Sequence, residues 1–262
     1  MDFRKITSLF NPASLPVSLS GATLGAMLAI ADYHVSPNVV LFLFLTAVLM
    51  HMLSSLRENP SGLAMNVARN IRRALSVLAI LSAGAAIYFT YGTIFLLDSF
   101  ILLIAFWFLM NMASRRDFEP SGSNAWRQCV RDVMLYGLAG VCGSYYLCAH
   151  TFGSWFLLLP AMSVGMLCAA ARQHVNACSR GMKFLQTALV ASAWICMTVY
   201  SLLRVHDPWH FLFVLTLPMF IICLSAMWKN SSDGTNPYGI IMAVSVFAFS
   251  LLSGFGFLVF LL

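Results

Sequence analysis

Arg172-Gln173-His174-Val175-Asn176-Ala177-Cys178-Ser179-Arg180-Gly181-Met182-Lys183 is a polar run between two long apolar segments, with three cations and no carboxylate. The flanking segments, about 155–173 and 182–203, approach the ~20 residues that a helix needs to cross a bilayer. The pattern repeats along the whole chain. Nine such runs follow one another, at about 14–33, 37–57, 72–91, 93–113, 129–149, 155–173, 182–203, 209–228 and 238–261, joined by short connections. With 60% hydrophobic and 9% charged residues and a mean hydropathy of +0.84, the chain has too few charges to cover a soluble globule, in which about 25% is usual. The expected fold is all-α: a polytopic membrane protein of nine transmembrane helices, with residues 1–262 forming a single transmembrane domain.

Pro12, Pro37, Pro208 and Pro237 lie at or just before the starts of runs, where a missing N–H costs nothing, and Gly62, Gly92 and Gly181 punctuate connections. Pro160 and Pro218 fall inside runs and are expected to bend them. Met1-Asp2-Phe3-Arg4-Lys5 leads through Asn11-Pro12 into the first run, so the first helix is expected to serve as the targeting signal.

Orientation follows from the Lys and Arg count in alternate connections. One side holds Arg4, Lys5, Arg57, Arg69, Arg72, Arg73, Arg115, Arg116, Arg127, Arg131, Arg172, Arg180, Lys183 and Lys229, which is 14 of the 15; the other holds Arg204. Because one missed or invented span would spoil this asymmetry, it supports nine spans, a cytoplasmic N-terminus and an outer C-terminus. It also accounts for the net charge of +6 without a nucleic-acid partner. The seven cysteines (129, 142, 148, 168, 178, 196, 223) form no C-x-x-C pair and are read as reduced core residues with no zinc site.

The stretch Gly137-Leu138-Ala139-Gly140-Val141-Cys142-Gly143-Ser144-Tyr145-Tyr146-Leu147-Cys148-Ala149-His150-Thr151, followed by Pro160 and Gly165, resembles the UbiA superfamily of intramembrane prenyltransferases. It looks most like the branch that prenylates 1,4-dihydroxy-2-naphthoate in menaquinone synthesis. Asn11-Pro12-Ala13-Ser14-Leu15-Pro16 is similar to that branch's R-P-K-T-L-P start, with Asn for Arg. The resemblance implies a UbiA-type helical bundle in the bacterial cytoplasmic (inner) membrane. It also implies Mg²⁺ held by two aspartate-rich motifs, because a diphosphate leaves only when metal ions neutralise its charge, and Mg²⁺ prefers carboxylate oxygens.

The first motif, N-x-x-N-D-Y-x-D, falls on Ser55, Glu58, Asn59, Pro60 and Gly62, with both aspartates gone and Glu58 the only carboxylate nearby. The second, N-x-N-N-x-R-D-x-x-x-D, falls on Gln173, Val175, Asn176, Cys178, Ser179 and Lys183. Only Asn176 survives there, and Ser179 and Lys183 replace the aspartates. The loop between Gly62 and Arg72 is shorter than the family's donor-covering loop, and Cys129 stands where the family has the aspartate of Gly-Leu-Gly-Asp.

The leading reading is a degenerate, catalytically inactive prenyltransferase homologue. It would bind membrane lipid, menaquinone or another prenyl lipid, or serve as a subunit beside other membrane proteins, with no cofactor. Ser55, Glu58, Asn59, Gly62, Asn176, Ser179 and Lys183 are then relics of the metal motifs. Arg57, Arg69, Arg172, His174, Arg180 and Lys183 either enforce topology at the lipid headgroups or make a metal-free site for a phosphate. The rival is an active divergent prenyltransferase, the one case that calls for Mg²⁺, working through Glu58, Asn59, Asn176, Ser179 and Lys183. A purely structural scaffold is the third reading.

Outside the motifs, His51 is read as a packed or hydrogen-bonded histidine, and His206 and His210 as interfacial, since Pro208 breaks their metal-pair spacing. Asp98 is read as the only acid well inside a span, near the outer end, with a proton path or partner contact as the alternative to snorkelling. Gly21-x-x-x-Gly25 and Gly137-x-x-Gly140-x-x-Gly143 are expected to pack helices closely. The aromatic residues suit interfacial belts or the lining of a prenyl cavity.

Overall fold

The computed structural model describes residues 12–58, 65–92, 122–151, 153–173, 180–204, 208–229 and 238–259, with isolated positions at 101, 104, 105 and 108. Apart from short connections such as 33–36 and 150–154, the described residues are helical and contain no strand. Helix α1 is Leu15–Asp32, α2 is Pro37–Glu58 and α3 is Met65–Tyr91. Helix α4 runs in three pieces, α-helical over Gly122–Asp132, π-helical over Val133–Gly143 and α-helical again over Ser144–Ala149. Helix α5 joins a 3₁₀ turn at Trp155–Leu157 to Leu158–Gln173, and α6 is Arg180–Arg204. Helix α7 joins 3₁₀ helix Pro208–Thr216 to Leu217–Lys229, and α8 is Tyr238–Leu258.

Among the described residues, seven helices are long and apolar enough to cross a bilayer, and they coincide with the first three and last four predicted runs. The predicted run at 129–149 lies within α4. The one at 93–113 lies, apart from isolated positions, outside the described residues.

Helix α1 is central, packing on α8, α4 and α2. Helix α5 lies against α4 and α6, while α3 leans on α2 at the edge. Leu49, Leu53, Leu56, Leu75 and Ala79 form a small separate cluster there. Thr46 Oγ1 to Ser82 Oγ (2.9 Å) and Ser82 Oγ to the Phe42 carbonyl (3.0 Å) supply polar contacts between the same two helices. On α3, Val77, Leu78, Ile80, Leu81, Tyr88 and Phe89 remain exposed, as expected of a face turned to lipid.

The glycine patterns set how closely helices approach. A Cβ on Gly21 would lie 2.2 Å from the Tyr136 carbonyl oxygen, one on Gly25 2.3 Å from that of Val141, and one on Gly137 2.4 Å from that of Ala161. Each of these Cα–H groups therefore sits on a backbone carbonyl of the facing helix, a recurring weak hydrogen bond where packing rather than the hydrophobic effect holds helices together. Two of the three contacts use carbonyls of the π-helical stretch. Gly143 has no neighbour within 4 Å of its would-be Cβ, so the third glycine of its pattern does not take part. Gly21→Val is expected to cost about 1–3 kcal/mol through overpacking, and Gly143→Ala nothing. Unfolding midpoints in detergent check this, and a Gly21→Val protein as stable as its parent would refute the close-approach account.

Pro160 and Pro218 do not bend the middle of an α-helix as expected. In both α5 and α7 the chain begins as 3₁₀ and becomes α just before the proline, at Leu158 and Leu217. Each proline thereby sits in a first α-turn, where its missing N–H and fixed φ are tolerated.

Arg204, predicted to be the one cation on the outer side, has its partners at the end of α6. It pairs with Asp32 at the end of α1 and donates to the Tyr200 hydroxyl. Its guanidinium lies 5.7 Å from the Tyr200 ring centroid and 5.6 Å from that of Phe257. Tyr145 Oη donates to the other oxygen of Asp32 at 2.7 Å. Helices α1, α4, α6 and α8 are thus tied together at one end. His210 is buried against the Phe257 ring, with centroids 4.3 Å apart, so it is a core residue and not interfacial; His206 lies outside the described residues. Trp194, Phe213, Phe220 and Phe249 pack ring to ring between α6, α7 and α8, so this part of the aromatic content is core. Cys129, Cys148, Cys168 and Cys223 are buried, Cys142 and Cys196 half-buried, and all six are free thiols; Cys178 lies outside the described residues.

Candidate functional site

The end of the bundle opposite Arg204 carries the basic connections. There α4 enters with a one-sided face: Trp126, Arg127 and Val130 are exposed, while Cys129, Asp132, Val133 and Tyr136 are buried at helical spacing. Asp132 has a side chain only 2% exposed. Its Oδ2 lies 3.5 Å from Arg172 Nε and its Oδ1 3.6 Å from Arg131 Nη2. Arg172 stands in the last turn of α5, where a cation complements the helix dipole, and it also donates to the Tyr136 hydroxyl.

Tyr136 is within side-chain hydrogen-bonding reach of Ser18 on α1. Ser18 Oγ in turn lies 2.8 Å from His51 Nδ1 on α2, and His51 Nε2 lies 3.4 Å from Ser55 Oγ one turn further on. Asp132, Arg172, Tyr136, Ser18, His51 and Ser55 therefore form a polar line through α4, α5, α1 and α2. His51 and Ser55 are 5% and 2% exposed, so this line passes through the interior. Cys168, on α5 beside it, donates to the Val17 carbonyl at 3.5 Å. Lys183, at the start of α6, is buried, and Gln186 one turn on donates to the Ala170 carbonyl at 2.9 Å, capping one of the last carbonyls of α5.

The predicted site residues divide. Ser55 and Arg172 join the polar line, and His51, read as a hydrogen-bonded histidine, is so. Lys183 is close by in sequence to the end of α5 but is buried, while Arg69 and Arg180 are exposed on α3 and α6. Arg57 and Glu58 close α2, and their side chains lie outside the described residues, as do Asn59, Gly62, His174, Asn176 and Ser179.

Asp132 is the residue that sequence reasoning missed. Asp98, read as the one acid well inside a span, lies outside the described residues, whereas Asp132 is an acid buried at the end of the first piece of α4. The available signal was an acid and a tyrosine four apart on a helix that opens among cations.

Among the described residues, no three His, Cys, Asp or Glu side chains come together. The two carboxylates whose side chains are described are each engaged by arginine, Asp132 by Arg172 and Arg131, and Asp32 by Arg204 at the other end. A carboxylate whose charge is already balanced by a guanidinium has little left to offer a divalent ion.

No protein-family model matches the chain. It is 24% identical over 250 residues to the 1,4-dihydroxy-2-naphthoate octaprenyltransferase of Escherichia coli (strain K12), an alignment covering 80% of this chain and 80% of that protein. This distant similarity, together with the apolar helices, supports a multi-pass membrane protein with a UbiA-like prenyltransferase fold.

Proposed function

We propose that the chain is a catalytically silent relative of the intramembrane prenyltransferases that holds a prenyl lipid, a prenylated quinone above all, within a nine-span bundle whose N-terminus is cytoplasmic. The observation that carries this reading is the state of Asp132: the one carboxylate at the basic end whose side chain is described is paired with Arg172 and Arg131. Two further features support it. Lys183, buried at the start of α6, stands where the resembling family has a metal-binding aspartate. The line from Arg172 to Ser55 adds hydrogen-bonding groups, and no further carboxylate, between α4, α5, α1 and α2.

The basic connections then serve topology and headgroup contact in a bacterial cytoplasmic membrane. Mass spectrometry of the detergent-purified protein is expected to find a co-purifying prenyl lipid or prenylated quinone, in near-stoichiometric amount. Protein free of any such lipid would favour a scaffold role instead.

A further inference from the structure

Helices α6 and α7 run antiparallel. Ser201 Oγ near the end of α6 donates to the His210 carbonyl at the start of α7 at 3.2 Å, and Trp228 Nε1 near the end of α7 donates to Thr187 Oγ1 near the start of α6 at 3.3 Å. Thr187 in turn donates to the Lys183 carbonyl at 2.9 Å. The indole N–H is thereby engaged and the ring held in place, yet Trp228 stays 45% exposed. Phe184, one turn before Thr187 on the same face of α6, is 70% exposed. That face continues through Ala191, Ile195 and Leu202, all exposed at helical spacing, and Ile221 on α7 is exposed two turns from Trp228. From Phe184 to Ile195 the strip is about 16 Å long, close to the ~15 Å of half a hydrocarbon core.

Two cations close this seam at the basic end. Arg180 lies two turns before Thr187, about 10 Å nearer that end. Lys229 follows Trp228, and both cations are exposed. The carboxylates whose side chains are described are engaged elsewhere, Asp132 by Arg172 and Arg131 and Asp32 by Arg204. From the end inward the seam therefore offers two positive charges, two rings and an apolar strip.

We infer that this seam is a site for one anionic phospholipid of the leaflet at the basic end, its phosphate held by Arg180 and Lys229 and one acyl chain lying along α6. A guanidinium and an ammonium together supply donors to the phosphodiester oxygens. Phe184 and Trp228 stand at the level where aromatic side chains meet headgroups. Charge decides against a second copy of the chain, because a two-fold contact through the same seam would bring two further cations against these two. A zwitterionic lipid carries an ammonium that the same cations repel. The site lies on the outside of the bundle and does not depend on a lipid held within it. On α3, Arg73 is also exposed beside an apolar strip, but the exposed rings Tyr88 and Phe89 lie about four turns away, so cation and ring do not meet there.

The test uses the full chain in nanodiscs of phosphatidylcholine and phosphatidylglycerol, with the acyl chains of one lipid or the other brominated, and reads quenching of tryptophan fluorescence. Subtracting the signal of Trp228→Phe isolates Trp228. Brominated phosphatidylglycerol is expected to quench Trp228 as if enriched at least about fivefold over brominated phosphatidylcholine at equal mole fraction, the scale of one cation at a charged surface. Arg180→Gln combined with Lys229→Gln is expected to bring the two lipids to within about twofold of each other, and Arg73→Gln to leave the enrichment in place. Both substituted cations are exposed, so the fold is not at stake. Equal quenching by the two lipids in the unsubstituted chain, an enrichment that survives the double substitution, or one that falls as far in Arg73→Gln would overturn the inference. So would a Trp228 that neither lipid quenches, the result expected if protein covers the seam.

Discussion

Asp132→Ala is expected to destabilise the bundle by about 3–5 kcal/mol, the usual cost of removing one partner of a buried ion pair. The reason is what remains. The Arg172 side chain is 20% exposed, and without the carboxylate its guanidinium loses the charge that balances it in a helix packed among others. Asp132→Asn keeps a hydrogen-bond acceptor and should cost less than Asp132→Ala. Replacing the pair together, Asp132→Leu with Arg172→Met, should recover most of the loss, because exchanging a buried ion pair for apolar residues of similar size is often near neutral. Unfolding midpoints in a detergent–denaturant series distinguish these outcomes, and an Asp132→Ala protein with an unchanged midpoint would remove the pair from the account. Mg²⁺ should leave the midpoint of the unsubstituted chain unchanged, since an ion that binds the native state would raise it.

Membranes containing this chain, supplied with 1,4-dihydroxy-2-naphthoate, a polyprenyl diphosphate and Mg²⁺, are expected to form no metal-dependent prenylated product above control membranes. Relative to the Escherichia coli protein named as an octaprenyltransferase for this acceptor, the deficit should reach at least about 10³-fold. Ionising a diphosphate ester places negative charge on the leaving group, and metal ions supply most of the stabilisation of that charge. Fixed cations such as Lys183 and Arg180 attract a diphosphate but do not bridge its oxygens as a metal does, so they favour binding over departure. Metal-dependent product that disappears on Glu58→Ala would overturn the silent reading in favour of a divergent enzyme.

The class of fold was legible because it is written locally. An apolar run long enough to cross a bilayer must satisfy its own backbone hydrogen bonds, so its length and composition alone mark it as a helix. Seven of the predicted runs meet that criterion among the described residues. The α4 run was recognisable as helix too, but its π geometry over Val133–Gly143 was not, because it coincides with contacts from Gly21 and Gly25 more than a hundred positions earlier in the chain. The prolines show the same division: Pro160 and Pro218 announced an irregularity, and the switch from 3₁₀ to α placed just ahead of each one is a choice made by the packed chain.

For the site, the sequence by itself determined which residue types are at hand. It holds no Asp or Glu from Trp155 to Leu203, a property of residue types that no folding can alter. What only the tertiary structure decided is how the remaining charges are spent: Asp132 on Arg172, forty positions away, and Asp32 on Arg204, 172 positions away. Helix periodicity and bilayer length act over a few turns of chain and can be read along it. The partner of a buried charge is chosen among all helices that surround it, because desolvation makes an unpaired charge too costly to keep. That choice depends on which helix faces which.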